Sequence, residues 1–121
     1  MEDDLPVEVR RLIDDVLETM DHVEILFRIG RTGEATAEWL AQDAHVEPAQ
    51  VTRVVRDLER AKLIVSKDGT YRVTSNPDAR AAVDAFTETY NARPVTLIRA
   101  IYSRPSPLRY FADSFRIRRE E

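Results

Sequence analysis

A mainly α-helical fold closed by a small β hairpin is predicted by three observations. Val51, Val54, Val55 and Leu58 recur at i, i+3, i+4 and i+7 and define the buried stripe of one helix. A second helical pattern containing Trp39, Leu40 and Ala44 precedes it across the short interruption "HVEPAQ". The segment "LIVSKDGTYRV" follows, in which two alternating runs flank Asp68-Gly69, a pair suited to a tight turn. Helix, turn, helix and a hairpin wing form a winged helix-turn-helix, with additional N-terminal and long C-terminal helices.

The elements follow in order. Residues 1–19 read as an acidic N-terminal helix: Pro6 opens a segment with Val9, Leu12, Ile13, Val16 and Leu17 at near-helical spacing. Met20, Val23, Leu26, Phe27 and Ile29 follow with almost no punctuation, so one bent helix or two short ones fit equally, with Gly30 and Gly33 ending the run. The wing domain is expected over residues 20–75. Thr36 is placed as an N-cap, Pro48 as the first residue of the second motif helix, and Glu34-Ala35 as a third short strand on the hairpin edge.

Asn76-Pro77 starts a helix expected to run to residue 103, with Ala79, Ala82, Val83, Phe86 and Tyr90 on one face. Pro94 should bend or break it, after which Leu97, Ile98, Ile101 and Tyr102 resume the register. Its surplus apolar face requires a cover, from the N-terminal helix or from a second subunit. Residues 104–121 read as a linker and a terminal amphipathic helix carrying Leu108, Phe111, Ala112 and Phe115. Two phenylalanines in a tail are expected to dock on something.

Composition narrows the function classes. The chain has 121 residues and no cysteine, which suits one compact domain and excludes disulfides and thiolate chemistry. No signal-peptide pattern opens it and no apolar run reaches membrane-spanning length, so a cytoplasmic location without membrane attachment is expected. The formal charge is −4, but residues 1–24 hold nine acids against two arginines, a local −7 that leaves +3 on the remainder. A basic face on an acidic molecule is therefore available.

The second motif helix, residues 48–61, is the candidate for the DNA major groove. Gln50, Thr52 and Arg53 are placed to approach bases, and Arg56 and Arg60 to meet phosphates; Lys67 and Arg72 on the wing would add backbone contacts. The same arginines also fit a solvated helix face beside Asp57 and Glu59, and the wing tip carries no arginine for a minor groove. Candidates for contact with a second copy or a partner protein are Val83, Phe86, Tyr90, Leu97, Ile101, Phe111 and Phe115.

No enzymatic constellation is read. His22 and His45 lack the spacing of two ligands on one helical face; His22 is assigned to an acidic helix surface and His45 to the turn. Adjacent Asp14-Asp15 would splay on a helix, and Ser103, Ser106 and Ser114 have no base at a readable spacing. No cofactor or metal is expected. Trp39 is assigned to the core of the wing domain.

The stretch "TAEWLAQDAHVEPAQVTRVVRDLERAKLIVSKDGTYRVT" resembles the winged helix-turn-helix core of bacterial MarR and ArsR regulators. That resemblance implies a second motif helix reading the major groove, through Gln50, Thr52, Arg53 and Arg56, and flanking helices that form a dimer. The ending "YFADSFRIRRE" is similar to a group of small bacterial winged-helix proteins that end in F-A-D-(A/S)-F-R-(I/L)-R, which implies no particular activity. The expectation is a dimeric DNA-binding transcriptional repressor. The alternative is a winged-helix adaptor or anti-factor that holds another protein through its C-terminal aromatic helix without binding DNA.

Overall fold

The computed structural model describes residues 5–103, so the expected terminal helix with Phe111 and Phe115 lies outside the described residues. Two short helices open the described part, α1 (Val7–Asp15) and α2 (Met20–Thr32). Thr19 separates them: its extended backbone stops helix propagation, and its side chain accepts the His22 N–H as an N-cap. Gly33, at φ 90°, ends α2 in a conformation that side chains other than glycine rarely adopt.

Strand β1 (Glu34–Thr36) leads into α3 (Ala37–Ala44), capped by the Thr36 side chain on the Trp39 N–H. His45, in the left-handed region at φ 57°, turns the chain toward α4 (Pro48–Arg60), with Pro48 in its first turn. Strands β2 (Ile64–Lys67) and β3 (Thr70–Val73) form the wing. Asp68 and Gly69, at φ 51° and 82°, supply the two positive-φ positions of the hairpin turn. The sheet is antiparallel in the order β1-β3-β2, with Glu34 opposite Arg72 and Ile64 opposite Val73. This is a winged helix with added terminal helices.

The expected C-terminal helix is broken into α5 (Pro77–Ala92) and α6 (Pro94–Ser103). Pro94 has no N–H to donate and disfavours helical geometry in the residue before it; Arg93 accordingly sits at φ −138° and ψ 64°. Asn76 caps α5 through the Ala79 N–H.

The cover for the long apolar face comes from the same chain. Helix α1 packs on α5 and α6, and α5 also packs on α2. Val83, Phe86, Leu97 and Ile101 are buried in one hydrophobic cluster with Val9, Leu12, Ile13, Ile25 and Leu26. These four candidates for intersubunit contact are therefore interior side chains of the chain itself. The physical reason is that α1 presents its own apolar stripe, and intrachain burial needs no second molecule.

His22 also departs from expectation, being 4% exposed. It lies at i relative to Ile25, Leu26 and Ile29, so it belongs to the buried stripe of α2 rather than to the acidic surface. Trp39 is half-buried and packs against the core.

Candidate nucleic-acid interface

Helix α4 is held on the body by α2, α3 and β2, with Val51, Val54, Val55 and Leu58 buried beneath it. Successive residues of a helix are rotated by about 100°, which puts Arg53, Arg56 and Arg60 within an arc of roughly 60° on the side opposite that stripe. All three are exposed. Arg53 and Arg56 form no ion pair among the described residues; Arg60 Nη1 stands 3.6 Å from Asp57 Oδ1 while its side chain stays 73% exposed.

Among the described residues, the acidic helix α1 packs away from this face. The described part of the acidic leading segment forms α1, which packs on α5 and α6, and the first turn of α2. Glu8, Asp14 and Asp15 are thus carried on the terminal-helix side.

The other candidates are less free. Thr52 is exposed, but its hydroxyl donates to the Pro48 carbonyl at 3.2 Å. Gln50 is half-buried at the flank of α4. On the wing, Lys67 is exposed, whereas Arg72 Nη2 pairs with Glu34 Oε1 at 3.1 Å across the β1–β3 register. Among these candidates, Arg53, Arg56 and Lys67 are therefore exposed cations without an ion pair among the described residues, and Arg60 keeps most of its side chain exposed.

Two polar groupings that hold this unit together escaped the sequence reading. His22 Nε2 lies 2.9 Å from Asp57 Oδ2, tying α2 to α4, and Nδ1 lies 2.8 Å from Thr19 Oγ1. Arg28 donates to Glu24 Oε1 at 2.6 Å and to Asp43 Oδ2 at 2.8 Å, while the Tyr90 hydroxyl donates to Glu24 Oε2 at 2.6 Å. This chain of contacts joins α5, α2 and α3. Burial lowers the Arg28 pKa, but the bonds to Glu24 and Asp43 outweigh it and leave it raised. Sequence gave one usable signal, the i, i+4 spacing of Glu24 and Arg28; the long-range partners had none.

Tyr90, the remaining contact candidate on α5, packs edge-on against Phe27 with centroids 4.9 Å apart. A groove of about 520 Å³ opens between α2 and α5, lined by Phe27, Gly30, Arg31, Asp84, Thr87 and Glu88, with opposite charges on its walls. No buried side-chain polar atom among the described residues lacks a partner. No described helix is long and apolar enough to cross a membrane.

Residues 19–70 match the model of the MarR family. The match covers the winged helix from the Thr19 cap of α2 through the wing turn, and this segment is similar to the winged helix of that family. No curated protein and no solved structure matches the chain.

Proposed function

We propose that this winged-helix regulator of MarR type binds double-stranded DNA as a homodimer and acts as a repressor by occupying an operator. One observation carries the reading: Arg53 and Arg56 stand exposed on the outward face of α4, without ion pairs among the described residues, while α1 packs on α5 and α6. Guanidinium groups on a helix of major-groove width supply both phosphate neutralisation and donors for base edges. Lys67 would add a contact from the wing. Arg72 would have to leave Glu34 first.

Dimerisation through the terminal helices falls to side chains that the core does not use. Val7 of α1 and Val95 and Tyr102 of α6 are large apolar side chains exposed by 60–70% on two helices that pack together. Two recognition helices of such a dimer would need centres about 34–36 Å apart, or DNA bent to compensate. Repression would follow by steric exclusion of polymerase.

The test combines light scattering with an electrophoretic shift on the DNA upstream of the protein's own gene, at several salt concentrations. A dimer is expected whose affinity falls with salt. Arg53→Ala or Arg56→Ala is expected to lower the salt slope by about one unit each per contacted site. A strict monomer with no salt-sensitive binding at low ionic strength would overturn the reading. The adaptor reading, in which the wing domain and the Phe111 and Phe115 tail hold another protein, rests on the negative balance of the chain and on those two residues, which lie outside the described residues.

A further inference from the structure

We infer that His22 is a positioning residue for the arginine face of α4: it holds the Asp57 carboxylate at the flank of the helix, away from Arg53 and Arg56. The inference rests on the DNA-binding reading above and deepens it by naming what keeps that face positive.

Asp57 follows Arg53 by four residues, a spacing at which opposite charges on a helix normally meet. A pair formed there would take one guanidinium out of the set that neutralises phosphates and put a carboxylate where the DNA backbone approaches. The structure has a different arrangement. Asp57 Oδ2 is taken by His22 Nε2 at 2.9 Å, Oδ1 stands 3.6 Å from Arg60 Nη1, and Arg53 has no ion pair among the described residues.

The histidine is built to hold that orientation. It is 4% exposed, so its ring has little room to turn. Thr19 Oγ1 accepts the backbone N–H of His22 at 3.4 Å and stands 2.8 Å from Nδ1, so its own proton is available to that nitrogen. Nε2 is then the protonated nitrogen and donates to Asp57. Both ring nitrogens have a partner, one at the cap of its own helix and one reaching 35 positions to α4.

The experiment measures the salt dependence of DNA binding by the full chain, alongside thermal unfolding. His22→Leu removes the donor at similar volume; the salt slope is expected to fall by about one unit and low-salt affinity by roughly tenfold, as Asp57 turns to Arg53. Adding Asp57→Ala to His22→Leu is expected to restore the slope. His22→Gln, which keeps a donor near the Nε2 position, is expected to retain it. An unchanged slope in His22→Leu, or no recovery in the double variant, would leave His22 with a merely structural role and overturn the inference. If His22→Leu does not fold, Asp57→Ala in an Arg60→Ala background decides, since Arg60 is the other cation near this carboxylate. A slope equal to that of Arg60→Ala supports the inference; a rise of about one unit means that Asp57 was already occupying an arginine, and overturns it. Absence of salt-sensitive binding by the unaltered protein overturns the DNA reading itself, and is seen before any variant is made.

Discussion

The Tyr90 hydroxyl donates to Glu24 Oε2 at 2.6 Å across 66 positions of sequence, joining α5 to α2. Burial, followed by this bond to a carboxylate, pushes the phenol from 10.0 up to about 12. A folded-state pKa above the unfolded one stabilises the fold fully below pH 10 and loses that contribution as pH rises through about 12. Tyr90→Phe is therefore expected to cost about 1 kcal/mol at neutral pH, the net worth of the bond, and the gap to the unaltered protein should close between the two values. Urea unfolding as a function of pH measures it. A gap that stays constant up to pH 12 would show that the hydroxyl is not held protonated by Glu24.

Gly30 marks a close approach of the same two helices. A Cβ there would overlap Thr87 Oγ1 and lie 3.3 Å from Val83 Cγ1. Thr87 cannot rotate freely, because its hydroxyl donates to the Val83 carbonyl at 2.8 Å. Gly30→Ala gains about 1 kcal/mol of helix propensity but faces an overpacking cost of about 1–3 kcal/mol, so a net loss is expected. In a Thr87→Ala background the overlap disappears and the loss should shrink or reverse. Denaturant unfolding of the four-member cycle should show coupling of about 1 kcal/mol or more; simple additivity would contradict the close approach.

Lys62 closes α4 in the left-handed region, at φ 65°. Its N–H donates to Glu59 O at 2.9 Å and the Leu63 N–H to Leu58 O at 3.0 Å, the paired bonds of a Schellman end. Glycine enters that conformation without the Cβ penalty. Lys62→Gly is expected to raise stability by about 0.5–1 kcal/mol, read as an increased denaturation midpoint. A lowered midpoint would mean that the lysine side chain stabilises the fold by more than its backbone strain costs.

The proposed dimer places exposed Val95 and Tyr102 at its contact. Val95→Glu with Tyr102→Glu should shift the light-scattering mass from dimer to monomer and leave the thermal midpoint of the isolated chain nearly unchanged, since neither side chain is in the core. Operator affinity should fall with the loss of the second half-site. A mass that stays dimeric would move the interface elsewhere on the surface.

Much of the fold was legible because local chemistry and periodicity specify it. Thr36 and Asn76 are capping residues and act as caps; Pro48 starts a helix; Asp68-Gly69 turns the wing. The four-residue stripe of α4 is buried as its spacing requires, and this sets which way Arg53, Arg56 and Arg60 face. The His22 assignment failed for a related reason: a polar residue was left out of an apolar stripe whose geometry includes it.

What the sequence by itself determined, then, was the order of elements, several of their ends and the outward side of α4, because caps, turns and helical phase act over a few residues. Tertiary structure alone decided that α1 covers α5 and α6, that Val83, Phe86, Leu97 and Ile101 are interior, and that Asp57 turns to His22. Those outcomes depend on which of several apolar or charged partners comes within reach once the chain is packed. Hydrophobic attraction has no directional code in sequence, and a carboxylate with Arg53, Arg60 and His22 as possible partners is assigned only by their positions in space.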